Sequence, residues 1–266
     1  MQNPLVTIIT VVYNGEDYIE QAITSVLQQS YPNIEYIVVD GLSADNTMPI
    51  VNRYKDRIQK IISEKDQGIS DAFNKGIRHA TGEIIGILNA DDWYEKDTVE
   101  KVVNEIGKAD IAYGDLRLWK NNAFDSIFCG NHNLLKREMS VNHPTVFIRK
   151  HCYEKFGVFN LSYKYAMDYE LLLRFMLKGC TYKYIPSVLA NMRWAGASDK
   201  YWYDAVKELR KIKDIYLSDE KLRHQLFFVK QTIAIAAAKL FQKLGLNSVV
   251  KFYRSRFSPI RKKYSD

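Results

Sequence analysis

Glu83-Ile84-Ile85-Gly86-Ile87-Leu88-Asn89-Ala90-Asp91-Asp92 is a short apolar run that stops abruptly on two adjacent carboxylates. Its length, and Gly82 ahead of it, make it a buried strand rather than a helix. In an open α/β sheet such strands end at the crevice where ligands bind. Two aspartates there repel each other and lose solvation, so a compensating charge is needed. A hard divalent cation bridging to a phosphorylated ligand supplies one. The plainer alternative is that Asp91 and Asp92 cap a helix beginning near Trp93-Tyr94-Glu95.

The residues before this run alternate strand and helix patterns. A β-branched stretch over 5–13 stops at Asn14-Gly15, and Tyr18, Ala22, Val26 and Leu27 then recur at helical spacing. A second strand over 34–39 leads into Asp40-Gly41. Ser43 and Asp45 can cap a helix running to about residue 58. A third strand over 58–63 and a helix through Ala72, Phe73, Ile77 and Ala80 complete the series. Repeated βα units of this kind build a parallel sheet with helices on both faces. Beyond Asp110 the pattern is less regular, with strands expected over 111–119, 123–128 and 144–149. A helix is expected over 167–178, and one or two strands around Pro186. The residues after Gly196 read as helical.

Three strand ends fall on one edge of such a sheet: Tyr13-Asn14-Gly15, Asp40-Gly41 and Asn89-Ala90-Asp91-Asp92. Asp40, Asp91 and Asp92 are therefore expected to share a cleft. The chain has no GxxxxGK[ST] loop and no GxGxxG after its first strand, which argues against P-loop enzymes, kinases and dehydrogenases. A nucleotidyltransferase would carry a Gly-rich activating loop where Tyr13-Asn14-Gly15-Glu16 stands.

The ordered segments TIITVVYNGEDYIEQAITSVLQQSYPNIEYIVVDGLSADNT, EKDQGISDAFNKGIRHATGEIIGILNADDWY, NHPTVFIRK and FNLSYKYAMDYELLLRF, spread over 6–198, resemble glycosyltransferase family 2. These are inverting nucleotide-sugar enzymes of the GT-A fold. The EKDQGISDAFNKG run looks most like the bacterial branch that builds O-antigen, capsule and other exopolysaccharide. The resemblance implies that Asn14 and Asp40 line the nucleoside pocket and that Asp66 helps hold the nucleoside or the sugar. It gives Asp91 and Asp92 the ribose and a metal ion, Mn²⁺ or Mg²⁺, on the diphosphate. Asp168 takes the place of the catalytic base, with an ordinary helix cap as its alternative reading, and Arg174 that of a structural ion-pair partner. Trp194-Ala195-Gly196-Ala197-Ser198 resembles the loop that closes over the diphosphate, and His143 in NHPT lies on the acceptor side. Asn89 departs from the pattern, since the metal motif often opens with Asp, and Asn keeps an acceptor oxygen but no charge.

The fold implied is α/β of the GT-A type: a Rossmann-like, mostly parallel sheet flanked by helices, with a basic helical C-terminal extension. The expected domains are 1–198, divided into a nucleotide-binding half (1–110) and an acceptor-binding half (111–198), and an extension over 199–266. The expected reaction moves a hexose, glucose or galactose, from a UDP-sugar to an undecaprenyl-diphosphate-linked saccharide, with inversion. Alternatives are a dTDP- or GDP-sugar donor, or a nucleotide-binding protein without transferase activity.

Charge bears on the extension. Residues 199–266 hold 16 Lys and Arg against seven Asp and Glu, a balance of +9 in a chain whose total is +7. The end of the chain interleaves Val249, Phe252, Tyr253, Phe257 and Ile260 with Lys251, Arg254, Arg256, Lys262 and Lys263. That pattern reads as a basic amphipathic helix lying on an anionic membrane surface. Packing on the domain or against a second subunit, as in a homodimer, is the alternative. No nucleic-acid partner is expected, because no binding motif is present. No signal peptide or bilayer-spanning run is read, and the three separated cysteines fit reduced thiols with no zinc motif. The expected location is the cytoplasm, at the inner face of the cell membrane.

Overall fold

The computed structural model describes residues 3–193, 201–244, 246, 248–249 and 262–263. Four strands form the parallel half of the sheet: β1 (Val6–Val12), β2 (Ile34–Asp40), β3 (Lys60–Ser63) and β4 (Ile84–Asn89). β1 lies between β4 and β2, with Val11 opposite Asn89 and Val12 opposite Asp40. The strand ends carrying the acids therefore stand on one edge, on either side of β1. β8 (Phe147–Arg149) runs antiparallel to β4 and to β6 (Ile111–Lys120). β7 (Ala123–Phe128) pairs with β6, and β9 (Tyr182–Arg193) runs parallel to β6 along its other side.

Both faces of this sheet are covered, which is why the first strands read as nearly continuous β-branched and apolar runs. Ile9, Val11, Ile37, Val39, Ile85 and Ile87 face the layer that holds α3 (Ile69–His79), α5 (Lys150–Phe156) and α6 (Met167–Leu177). Ile8, Val12, Val38, Ile84 and Leu88 face α1 (Ile19–Leu27) and α4 (Thr98–Ile106). The alternation follows the two-residue period of a strand. α7 (Trp202–Tyr216) buries Ile212 in the first of these layers, so the core continues past residue 199.

Several elements differ from the sequence reading, each for a local reason. No helix begins at Trp93. Trp93–Tyr94 form β5, paired with Asn191 and Ala190 of β9, and Trp93 packs against Trp119. Two aromatics favour this extended, half-buried setting, and the next helix starts only at Thr98, so Asp91 and Asp92 cap nothing. The helix expected to reach residue 58 is cut to α2 (Thr47–Asn52) and a 3₁₀ turn at Lys55–Arg57. Residues 43–46, which would open it, are held instead by the loop after β1. His143–Thr145 form a 3₁₀ turn ahead of β8 rather than its first residues. Pro186 sits where the β6–β9 register shifts, because it has no N–H to give the ladder.

α8 (Lys221–Lys243) packs on α7. Of the basic helix read near the end of the chain, residues 248–249 are helical, whereas Lys262–Lys263 form β10 against Phe128 and Ile127 of β7. The remainder of that stretch lies mostly outside the described residues. Among the described residues, no helix is long and apolar enough to cross a membrane.

α6 is fastened by a buried ion pair. Arg174 Nε donates to Glu170 Oε1 at 2.8 Å, and the Glu170 side chain is 0% exposed. The guanidinium also donates to the carbonyls of Phe156, Gly157 and Val158, and the Tyr216 hydroxyl donates to Glu170 at 2.6 Å. Removing one partner leaves a buried charge uncompensated. Arg174→Met is therefore expected to cost about 3–5 kcal/mol, read as a lower urea midpoint, with Tyr216→Phe costing about 1 kcal/mol.

Candidate active site

The loops after β1 and β2 are laced together. Asn14, in the left-handed region at φ 49°, accepts the Ala44 N–H on Oδ1 at 2.9 Å and donates its own N–H to Ser43 Oγ at 2.8 Å. Gly15 N–H donates to Thr47 Oγ1, and Glu16 Oε2 accepts the Asn46 N–H. Asp40 is fully buried beneath this lacing, where its carboxylate accepts the Ser43 N–H and the Ser63 hydroxyl, the latter at 2.6 Å. Asn14 is left at the exposed mouth and Asp40 in its floor.

Asp66 folds in from the loop after β3, where Oδ1 accepts the Gly68 N–H at 2.9 Å. Lys75 anchors that loop by donating to the Lys65 carbonyl at 2.6 Å and pairing with Glu64 at 3.0 Å. A Cβ placed on Gly41 would lie 2.5 Å from Asp66 Oδ2 and 3.3 Å from the ring of Tyr13. Three strand ends thus converge on one glycine, beside an aromatic ring that is 67% exposed.

At the end of β4 the two acids differ. Asp91 is half-buried, whereas Asp92 is 1% exposed. Burial first, and then the charge of Asp91, push the Asp92 carboxyl well above the usual carboxylate range. Burial also raises Asp91, partly opposed by Arg193. Asn89 Nδ2 reaches Asp92 Oδ2 at 3.4 Å, but Asn89 Oδ1 and Asp92 Oδ1 are buried without a hydrogen-bond partner. Orphaned buried oxygens on Asn89 and Asp92, beside the Asp91 carboxylate, make a hard oxygen donor set, so these residues fit Mn²⁺ or Mg²⁺.

Arg193 stands directly over this end. Its guanidinium lies 4.6 Å from the ring centres of both Tyr18 and Trp93, donates to the Asp91 carbonyl at 2.6 Å and bonds Gln21.

Asp168 lies in the first turn of α6, and it does not cap the helix. The residues entering that turn are held from α7: Glu208 accepts the backbone N–H groups of Lys164, Tyr165 and Ala166 at 2.8–2.9 Å. Asp168 accepts its neighbour's N–H, from Tyr169 at 2.7 Å. Burial, with a further contribution from the Glu208 charge, raises its carboxyl to about 6. The segment before it is tied to α3, because Asn74 exchanges two hydrogen bonds with the backbone of Phe159. His143 stacks on Phe73 with ring centres 5.0 Å apart, and burial lowers it to about 4, so its ring is neutral.

The family model for glycosyl transferase family 2 matches residues 7–160, more than half of the chain. This chain belongs to that family. A glycosyltransferase of Rickettsia typhi is 33% identical over 195 residues, covering 68% of this chain and 61% of the relative. A protein named for teichuronic acid biosynthesis in Bacillus subtilis is 42% identical over 101 residues, 37% of this chain and 40% of its own. The chain thus spans less than two thirds of the length of either relative. Staphylococcus aureus TarS in complex with UDP-GlcNAc superposes with a TM-score of 0.63 at 18% identity, covering 90% of this chain and 73% of TarS. A Pyrobaculum calidifontis mannosyltransferase in complex with GDP-Man and Mn²⁺ gives 0.63 at 20% identity, with 97% and 82% covered. The fold is that of the GT-A glycosyltransferases.

Several residues of this family 2 chain escaped the sequence reading. Tyr13 and Arg193 adjoin positions that the motifs mark, but only packing shows them at the site. Glu208 is more than 40 residues from the backbone it holds, and no local pattern announces it. Trp194 and the segment after it lie outside the described residues.

The cysteines gave no metal motif, yet the fold brings Cys152 to Asp110 and His151. Asp110 Oδ1 is 3.0 Å from His151 Nε2, which is 3.6 Å from Cys152 Sγ, and the three ligand-type atoms lie within 4.8 Å of one another. Burial and the neighbouring Cys180 and Asp110 push the Cys152 thiol up, which keeps it protonated. The cluster sits where β4 begins, at the edge opposite Asp91 and Asp92.

Gly41→Ala tests whether this edge binds the nucleotide. The new methyl group meets the Asp66 carboxylate, so the loop at 64–68 must shift. The KM for the donor is expected to rise about tenfold with a stability cost of about 1–3 kcal/mol, while kcat at saturating donor changes little.

Proposed function

We propose that this protein transfers a hexose from a UDP-sugar to a hydroxyl of a lipid-linked saccharide, with inversion, in the synthesis of a bacterial surface polysaccharide at the cytoplasmic face of the membrane. The observation that carries the reading is the end of β4, where Asn89 and Asp92 present buried, partnerless oxygens next to half-buried Asp91 and the laced loops of β1 and β2. Such a site suits a ligand of high negative charge held through a cation. The relative named for teichuronic acid synthesis supports the surface-polysaccharide class. UDP-GlcNAc and GDP-Man in the two structural neighbours support a nucleotide-sugar donor. Preference for UDP, glucose or galactose, and an undecaprenyl-diphosphate acceptor rests on family resemblance.

In this reading the exposed Tyr13 ring and Asn14 meet the base at the mouth, while Asp40 fixes the loop beneath them. Asp66 closes the side of the pocket toward the sugar. Asp91 and Asp92, with Asn89, hold Mn²⁺ or Mg²⁺, which when bound stabilises the charge building on the departing diphosphate. Asp168, raised to about 6, takes the acceptor proton at neutral pH as the new glycosidic bond forms. His143, neutral and stacked, offers the acceptor a hydrogen-bonding edge. Residues 1–110 thus serve the donor and 111–198 the acceptor.

Nucleoside diphosphate release from a panel of UDP-, GDP- and dTDP-sugars, with and without EDTA and with a polyprenyl-diphosphate-saccharide acceptor, tests the reading. UDP release that needs acceptor and divalent metal is the expected result. Binding of the nucleotides without turnover of any donor would leave a nucleotide-binding protein and end the enzyme reading.

A further inference from the structure

α8 carries two apolar faces. One is turned onto α7: His224 is buried, and Lys213 Nζ and the Arg210 guanidinium lie 4.1 Å and 5.1 Å from the ring centres of Phe227 and Phe228. On the opposite face Leu222, Leu226, Val229, Ile233, Leu240 and Leu244 recur at steps of four, three, four, seven and four residues, and each is more than half exposed. That spacing keeps all six in one narrow stripe. Lys221, Arg223, Lys230 and Lys239 stand along its flanks, and residues 221–243 contain no Asp or Glu. Arg223 is paired with Glu220, just before the helix, at 2.7 Å.

A cavity of about 610 Å³ opens beside the first half of this stripe. Lys136, Arg137, Lys213, Arg223, His224 and Lys230 line it, against the single acid Glu220. Two of these groups are built in rather than scattered on the surface. Lys213 is 3% exposed and donates to the Arg137 carbonyl, and the buried Nε2 of His224 has no hydrogen-bond partner. Leu226 belongs to both the cavity and the stripe.

We infer that α8 and this cavity form a docking surface for an anionic phospholipid bilayer, with the stripe entering the acyl boundary and the cavity receiving a headgroup phosphate. Charge decides between this and pairing with a second copy. Two α8 helices joined along their stripes would set Lys and Arg against Lys and Arg, with no carboxylate on either helix to neutralise them. An anionic interface satisfies the same flanks, each cation adding to the hold of the apolar face. The inference deepens the proposed membrane placement and rests on it, but it moves the contact from the end of the chain to α8.

The test uses the full chain and needs neither donor nor acceptor, so its failure is separate from failure of the transferase reading. Co-sedimentation is measured with phosphatidylcholine vesicles and with vesicles that also contain phosphatidylglycerol. Wild type is expected to pellet only with the latter. Leu226→Gln with Ile233→Gln, and separately Arg223→Glu with Lys230→Glu, are expected to lower the partition about tenfold or more. All of these side chains are exposed, and unchanged circular dichroism confirms folding. Equal pelleting of wild type and both variants overturns the inference. So does a wild-type dimer in lipid-free sedimentation that the Leu226/Ile233 variant dissolves.

Discussion

Asp168→Asn is expected to lower kcat by about two orders of magnitude or more while donor affinity and fold persist. The amide fills the same space but cannot take a proton from the acceptor. The pH dependence adds a sharper signature. With the carboxyl raised to about 6 by burial and by Glu208, activity in wild type should climb through an acid limb near pH 6. Glu208→Gln removes the charge that helps raise Asp168, so that limb should move to lower pH even though Glu208 touches no substrate. Stability runs the other way. The native carboxyl binds its proton more tightly than an ordinary one at 3.8, so the native state holds the extra proton between about pH 4 and pH 6. The contribution of this group is present below that window and is lost as pH rises through it. Asp168→Asn should therefore be more stable than wild type above pH 6, by at most about 3 kcal/mol. Loss of turnover accompanied by gained stability separates a functional carboxylate from a structural one. Retained activity would assign the proton transfer to another group.

Asp91→Asn and Asp92→Asn are each expected to lower turnover by about 10²–10³-fold, and excess EDTA should do the same to wild type. Melting temperature gives an independent reading. A divalent cation that binds the native state alone stabilises it by about 2.7 kcal/mol at a hundred times its dissociation constant. Mn²⁺ should thus raise the wild-type melting point and leave both variants nearly unmoved. Without metal the sign reverses for Asp92. Its carboxyl is held well above the usual range, so its ionised form is a liability at neutral pH that the amide removes. Asp92→Asn should melt higher than metal-free wild type and lower than the Mn²⁺-loaded one. Equal Mn²⁺ shifts in wild type and both variants would place the cation elsewhere, and the cluster of Asp110, His151 and Cys152 would be the next place to look.

What could be read in advance followed from short-range rules. The run ending at Asp92 is a strand because apolar β-branched residues bounded by Gly and acids have few other solutions, and β4 bears that out. The parallel order of β1 to β4 followed from repeated βα units. The segments that misled were those whose conformation is set from a distance. Trp93 and Tyr94 become a strand only because β9, about a hundred residues later, offers Ala190 and Asn191 as partners. The helix after Asp45 opens only at Thr47, where Asn14 and Glu16 hold the Ala44 and Asn46 N–H groups ahead of it, and nothing in the local pattern announces its end at Asn52. Within the site, acids at strand ends were visible, but their burial was not: no spacing distinguishes Asp92, almost wholly enclosed, from half-exposed Asp91. The Arg193 guanidinium between two rings, and Glu208 beneath Asp168, were hidden for the same reason.

The hold of Glu208 on residues 164–166 has a consequence for how the protein is made. Chains emerge from the ribosome N-terminus first, at about 5–20 residues per second. The strands that carry Asp40, Asp91 and Asp92 are local to the first hundred residues and can pair while synthesis continues. The first turn of α6 cannot complete its backbone hydrogen bonding until the carboxylate some forty residues downstream has been made and α7 has folded back. In the proposed reading, a nascent chain would therefore acquire its donor-binding edge well before Asp168 is in place as base, and could bind the donor before it could turn it over.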